Sequence, residues 1–124
     1  MFKLFRNTVM LGCLFIGAAQ AGEVALTVNQ AEELLMKNVK RDALYESWIP
    51  LRCIHVMVQD ISKKYVEFDL HENHAGQCAG KGDPATAPLI DAFRVNRYNR
   101  VIEWYSVPDA DYQPYRNAVA SRKR

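Results

Sequence analysis

The stretch from Cys53 to Cys78 constrains this chain most, because it concentrates the residues that can form covalent or metal bonds. It contains all three histidines and two of the three cysteines of the 124-residue sequence. If the chain is exported, the two cysteines enter an oxidising compartment as an even pair, so we expect a Cys53–Cys78 disulfide. The alternative is two reduced thiols, which would then be available as metal ligands.

The first 21 residues have the layout of a secretory signal peptide. Lys3 and Arg6 give a positive start, an apolar run occupies residues 9–16, and a small-x-small motif ends at Ala21. We therefore expect cleavage after Ala21, a mature chain that begins at Gly22, and a periplasmic or secreted location. The apolar run is too short for a stable transmembrane span, which needs about 20 residues.

Two further expectations follow from this leader. A lipid anchor at Cys13 is an alternative to simple cleavage, since Leu11-Gly12-Cys13 partly fits a lipoprotein box. Loss of residues 1–21 also removes two basic and no acidic side chains from a total of 16 basic and 14 acidic. The mature chain then has no net charge, which argues against a nucleic-acid partner. The remaining basic cluster, over residues 116–124, is expected to be a flexible tail.

A helix is expected at the start of the mature domain. Asn29 fits an N-cap, and Glu32 three residues later completes a capping-box pattern. Ala31, Leu35 and Val39 recur at helical spacing, and the pattern continues to about Arg41.

Two antiparallel hairpins follow in the sequence. Residues 51–60 and 64–72 alternate between apolar and polar side chains, and a loop over 61–63 would place Val58 opposite Val66 and His55 opposite Asp69.

A glycine- and proline-rich loop over 73–88 separates them from a second hairpin. Its four-residue turn over 97–100 pairs Val95 with Ile102 and Phe93 with Trp104, and it sets Arg94 across from Glu103, a favourable charge pair. The predicted fold is α+β: one N-terminal helix packed on a four-stranded antiparallel sheet, in a single domain over residues 22–115.

A single helix followed by a meander, with FRVNRYNRVIEWY as its last hairpin, resembles small exported bacterial proteins of the PepSY-like or cystatin-like kind. The resemblance covers most of the mature chain in pattern. It implies a non-catalytic binding or inhibitory module, and it assigns no role to any residue.

A metal site is one candidate for the chemistry of the central stretch. The predicted register brings His55, Asp69 and His71 together, with His74 just beyond them, and imidazoles with a carboxylate suit zinc or copper. Polar side chains on a solvated sheet face are the plainer interpretation of the same residues.

Recognition of a protein or peptide is the leading prediction. The serines lie in no recognisable nucleophile motif, so we expect no enzymatic activity. Tyrosine is a favoured interface anchor, and four tyrosines are candidates for partner contact: Tyr98, Tyr105, Tyr112 and Tyr115. The sequence therefore predicts an exported, non-enzymatic binding module without a cofactor, of an inhibitor or immunity type, with a partner in the cell envelope. A periplasmic zinc- or copper-binding protein is the alternative.

Overall fold

The computed structural model describes residues 24–78 and 82–122. The expected signal peptide, its cleavage site and the alternative anchor at Cys13 lie outside these residues. The described chain forms one helix, then five strands, then a second short helix. These elements are α1 (Val28–Arg41), β1 (Ile54–Ile61), β2 (Tyr65–Glu72), β3 (Leu89–Asn96), β4 (Ile102–Ser106), β5 (Asp111–Pro114) and α2 (Tyr115–Arg122).

Helix α1 begins two residues earlier than the sequence predicted. Thr27, not Asn29, is the N-cap: its hydroxyl accepts from the Gln30 amide at 3.2 Å, and the Gln30 side-chain oxygen accepts from the Thr27 amide at 3.0 Å. Both Thr27-x-x-Gln30 and Asn29-x-x-Glu32 resemble a capping motif, and the earlier one also brings Val28 into the helix. The predicted end at Arg41 is confirmed.

The sheet is antiparallel, with its strands in the order β1-β2-β3-β4-β5. The α+β class is confirmed, but the predicted count of four strands is wrong because β5 pairs along β4. The predicted second hairpin is confirmed in every pair: Phe93 lies opposite Trp104, Arg94 opposite Glu103, and Val95 opposite Ile102.

The first hairpin has a register two residues away from the predicted one. Val58 lies opposite Phe68, and His55 lies opposite His71 instead of Asp69. The pairing is irregular between Val58 and Asp60, and this β-bulge adds one residue to β1. A shift of two residues keeps the side chains of residues 54–58 on their predicted faces of the sheet, so the alternating pattern could not detect it.

The turn of this hairpin explains the longer strand. Ile61, expected in the loop, pairs with Val66. Ser62 closes the turn, since its amide donates to the Tyr65 carbonyl at 2.8 Å and its hydroxyl accepts from the Tyr65 amide at 2.9 Å.

One face of the sheet carries the hydrophobic core. Side chains from α1, β2, β3, β4 and α2 meet in a single cluster that includes Leu35, Phe68, Phe93, Ile102 and Ala118. Both helices therefore pack on the same face. The opposite face, which we call the open face, carries the polar and aromatic side chains of the strands.

Most of the stretch expected to be a flexible basic tail, residues 116–122 of 116–124, is helical. Residues 116–122 belong to α2, with Ala118 fully buried against the core. The Arg122 guanidinium donates to the buried carboxylate of Asp91 at 2.8 Å, and it lies 5.3 Å from the Trp48 ring. These contacts anchor the helix that sequence patterns did not reveal. No helix within residues 24–78 or 82–122 is long and apolar enough to span a membrane.

Candidate binding surfaces

The predicted disulfide between Cys53 and Cys78 is present, with both cysteines buried. It connects the residue before β1 to the short 3₁₀ turn Gly76–Cys78 in the long loop. The Asn73 amide adds a hydrogen bond of 2.7 Å to the Cys53 carbonyl. The start of this loop is therefore fixed to the sheet by both a covalent bond and a backbone hydrogen bond.

His71 is held by the far end of the same loop. Its Nδ1 lies 2.7 Å from the Ala87 carbonyl, so this nitrogen carries the proton and donates it. The other ring nitrogen, Nε2, is buried and lies 4.0 Å from the Asp69 carboxylate. His71 thus links β2 to the segment that precedes β3.

His74 is the buried histidine of the loop. Its Nε2 lies 3.4 Å from the Glu72 carboxylate, and its Nδ1 lies 3.4 Å from the hydroxyl of Thr86. The ring also packs closely on Gly82: a Cβ placed at that glycine would lie 2.7 Å from the imidazole. His74 therefore has the surroundings of a packed structural residue.

His55 lies opposite His71, and the Asp69 carboxylate lies 4.0 Å from His71, but the four predicted metal ligands do not converge on one site. His55 is exposed on the edge strand β1, while Asp69 and His71 are half-buried on β2 and His74 lies in the loop. Within the described ranges, no group of three or more histidine, cysteine, aspartate or glutamate side chains is arranged to hold a metal ion. Both thiols are engaged in the disulfide.

The open face contains a compact layer of stacked side chains centred on Arg94. Its guanidinium lies 4.3 Å from the centre of the Tyr65 ring and 4.1 Å from that of Tyr112. The Arg94 Nε also donates to the Glu103 carboxylate at 2.9 Å. A cation held between two rings and one carboxylate has little freedom to move, so this layer is rigid before any partner arrives.

Tyr105 and Tyr112 extend this layer towards the edge strand β5. They lie directly opposite each other, and their rings meet edge to face with centroids 5.3 Å apart. Burial raises the pKa of Tyr112 to about 12, with a further contribution from the negative charge of the nearby Glu67 carboxylate.

The other two predicted tyrosines lie elsewhere. Tyr98 is at the tip of the β3–β4 turn and is 37% exposed. Tyr115 opens α2 on the helix-covered side, where its ring lies 6.1 Å from that of Phe93. Burial first, and the nearby Asp42 carboxylate second, raise its pKa above the usual range. The structure thus brings together Tyr105 and Tyr112 and separates them from Tyr98 and Tyr115.

Sequence reasoning missed the centre of the open-face layer. Arg94 was predicted only as the partner of Glu103, and Tyr65 was not among the candidate tyrosines. The missing signal was the pairing of β2 with β3, which sets Glu67 beside Arg94 and Tyr65 beside Asn96. A long loop separates these two strands, so no turn length could predict that register.

Three serine hydroxyls are occupied in hydrogen bonds of the fold. Ser62 bonds to Tyr65, Ser106 donates to Asp109 at 2.7 Å, and Ser121 donates to the carbonyl of Ala118 at 2.8 Å. Each closes a turn or a helix end, which is a structural use of the side chain.

Comparison of the chain with family models, with curated proteins and with solved structures finds no match in any of the three. The resemblance to PepSY-like or cystatin-like proteins therefore stays a prediction from the pattern of elements.

Proposed function

We propose that this chain is an exported, non-enzymatic binding module that docks a protein partner of the cell envelope on its open face. The proposed contact layer, which we call the Arg94 layer, consists of Tyr65, Arg94, Tyr105 and Tyr112. Action as an inhibitor or immunity-type protein is the form of this function that the sequence predicts. The alternative of a zinc or copper carrier receives no support from the positions of His55, Asp69, His71 and His74.

The single observation that carries the proposal is the position of Arg94 between two tyrosine rings on a sheet face that neither helix covers. Tyrosine and arginine are the residue types most enriched at the energetic centres of protein interfaces. Binding costs conformational entropy when side chains must be ordered on contact. Here the stack and the Glu103 ion pair already order them, so a partner would meet a preformed surface.

The charge of the open face also restricts the partner. Glu67, Asp69 and Glu103 lie on this face together with Arg94, which is already paired with Glu103. A second cation, the Lys64 ammonium, lies 5.2 Å from the centre of the Tyr65 ring. A partner segment that offers an apolar side chain for the rings and a basic group for Glu67 or Asp69 would be complementary.

Site-directed photo-crosslinking in the source organism tests the proposal. A photoreactive phenylalanine analogue replaces Tyr105 on the open face, and the matched control places it at the exposed Glu46, in the loop after α1. We expect one discrete crosslinked species from position 105 and none from position 46. Equal crosslinking from both positions, or none from position 105, would contradict docking on the open face.

A substitution series separates contact from folding. Tyr105→Ala should abolish capture of the crosslinked partner, Tyr105→Phe should retain most of it, and Tyr98→Ala, at the turn tip, should leave it unchanged. Circular dichroism spectra that match the parent protein would show that each variant is folded. Loss of capture in the Tyr98→Ala variant alone would move the contact to the turn.

Export has its own test. The intact mass of the protein from the cell envelope is measured after alkylation, without and then with prior reduction. We expect a chain that begins at Gly22 and is alkylated only after reduction. A mass that corresponds to a lipid-modified chain beginning at Cys13 would show that the protein is anchored to a membrane.

A further inference from the structure

The helix-covered side of the molecule has a groove that the proposed function does not use. Two open depressions, of about 420 and 370 Å³, lie between α1, α2 and the β3–β4 turn, and Arg41 and Tyr115 line both. These volumes are in the range of sites that receive a ligand or several side chains, about 300–1,000 Å³. We call this feature the α1–α2 groove. Its principal lining residues are Leu34, Lys37, Arg41, Arg100, Tyr115 and Arg116.

Positive charge dominates the α1–α2 groove. Arg41 is compensated, because its guanidinium contacts the Asp42 carboxylate at 3.0 Å. Three further cations, Lys37, Arg100 and Arg116, form no ion pair with any residue of the described chain. They come from α1, the β3–β4 turn and α2, and all three are exposed.

The one acidic side chain among the lining residues is already engaged. Asp42 accepts two hydrogen bonds from the Arg41 side chain, at 3.1 and 3.0 Å. A ligand would therefore meet three cations and no competing carboxylate. Three uncompensated charges within one groove attract an anion and orient it during approach.

The floor of the α1–α2 groove is apolar. The Tyr115 ring rests on Phe93, and Ile102 is nearly fully buried beneath the groove. Val119 of α2 lines the adjoining depression. An apolar floor with cations on its rims suits a segment in which acidic residues alternate with apolar ones, since each type of side chain finds its own complement.

We infer that the α1–α2 groove binds an acidic peptide segment of a partner protein. The arginine guanidinium groups suit carboxylates, which they can contact with two parallel hydrogen bonds. The cations flank a concave floor, and this shape fits an extended chain better than the plane of an anionic bilayer. The groove lies on the face opposite the Arg94 layer, so the inference does not depend on the proposed open-face contact.

Fluorescence anisotropy with a labelled peptide of alternating glutamate and leucine tests the inference on the full mature protein. A peptide with glutamine in place of glutamate is the control ligand. We expect saturable binding of the acidic peptide, weaker binding as NaCl rises because salt screens the charges, and no binding of the glutamine peptide. Absence of saturable binding by the acidic peptide would overturn the inference.

A charge-matched pair of variants locates the binding site. Lys37→Glu with Arg116→Glu should weaken binding of the acidic peptide by about tenfold or more, since two contacts become repulsive. Arg52→Glu with Lys63→Glu makes the same change in net charge at exposed positions outside the groove, and we expect less than a twofold effect. Equal losses of affinity in the two variants would show that binding depends on net charge alone. That result would overturn the inference that the peptide binds in the groove.

Two further measurements keep the competing explanations apart. Vesicles that contain phosphatidylglycerol should not compete with the peptide; competition by these vesicles, with binding lost in the groove variant, would assign the groove to a membrane surface instead. Tyr105→Ala should bind the acidic peptide like the parent protein. Loss of peptide binding in Tyr105→Ala would place the peptide on the open face and overturn the inference. Failed crosslinking at position 105 would contradict only the proposed open-face contact and would leave the groove inference intact.

Discussion

The hydroxyl of Tyr45 donates a 2.6 Å hydrogen bond to the buried carboxylate of Asp91, and so joins the loop after α1 to strand β3. Two more donors reach the same carboxylate: the Trp104 indole nitrogen at 2.9 Å and the Arg122 guanidinium at 2.8 Å. Asp91 lies on the core face of β3, where an isolated charge would be costly. Its three donors come from three separate elements, so it acts as the polar centre that fixes the loop and α2 to the sheet.

Replacement of this carboxylate should strongly destabilise the fold. Asp91→Ala leaves the Tyr45 hydroxyl, the Trp104 indole and the Arg122 guanidinium without their acceptor, and we expect the free energy of unfolding to fall by about 3 kcal/mol. Urea denaturation followed by tryptophan fluorescence measures the change. The control is Asp60→Ala, at an exposed aspartate of β1, which should cost less than about 0.5 kcal/mol. Similar losses of stability in the two variants would mean that the hydrogen bonds to Asp91 do not fix the loop and α2 to the sheet.

Stability should also fall at alkaline pH because of Tyr45. Burial first, and the Asp91 charge second, raise the pKa of this phenol far above the value of about 10 expected in the unfolded chain. Above pH 10 the unfolded state therefore loses a proton that the folded state keeps. The contribution of Tyr45 is fully present below pH 10 and decreases above it, with a limiting slope of about 1.4 kcal/mol per pH unit. Tyr112, with its pKa of about 12, acts in the same direction.

Urea denaturation at several pH values between 8 and 11.5 checks this, with Tyr45→Phe as the comparison. The phenylalanine variant should be less stable at pH 8, because Asp91 loses a donor. Its stability should decrease less steeply above pH 10, because one titrating group is gone. Equal slopes in the two proteins would show that Tyr45 is not responsible for the alkaline loss.

Local patterns predicted the parts of this fold that short-range contacts determine. The β3–β4 hairpin was predicted in full, because a four-residue turn and the Arg94–Glu103 pair together select one register. Helix α1 was predicted except at its start, where two capping motifs overlap. The β1–β2 register was missed by two residues, because an even shift leaves the apolar face unchanged and a bulge gives no signal in the alternation.

The C-terminal elements and the binding surfaces depend on long-range contacts, which a sequence pattern does not contain. Strand β5 is only four residues long and ends in Pro114, so it has no strand period to detect. Helix α2 has one buried residue, Ala118, and is anchored through Arg122 to a carboxylate 31 positions earlier. The α1–α2 groove exists only because α2 docks there. For the same reason, the Arg94 layer needs the β2–β3 register before it can be recognised.

The contact between Gly82 and His74 supplies a third prediction. An alanine at position 82 would place its Cβ 2.7 Å from the buried imidazole, which must then move within a packed site. We expect Gly82→Ala to lower the free energy of unfolding by about 1–3 kcal/mol, the usual cost of overpacking. Thermal and urea denaturation measure the loss. Gly76→Ala is the control: its Cβ would meet open space, so only the left-handed backbone (φ +58°) would oppose it.

A double-mutant cycle identifies the cause of that loss. His74→Ala removes the ring that the new methyl group would strike, so Gly82→Ala should cost much less in the His74→Ala background than in the parent protein. Gly76→Ala should cost the same in both backgrounds. If Gly82→Ala were equally harmful without the imidazole, its effect would arise from the backbone and not from contact with His74.

Removal of the disulfide should lower the free energy of unfolding but leave the strands of the sheet paired. The bond joins Cys53 and Cys78, 25 residues apart, and the chain-entropy model gives about 3 kcal/mol for a loop of that length. The Cys53→Ala, Cys78→Ala double variant should therefore have a free energy of unfolding about 3 kcal/mol lower, and should unfold at a lower urea concentration. Reduced parent protein, measured in excess dithiothreitol, should show nearly the same loss, because it lacks the same cross-link but keeps both side chains. A reduced protein as stable as the oxidised one would mean that hydrogen bonds such as the 2.7 Å bond from the Asn73 amide to the Cys53 carbonyl are enough to hold the loop.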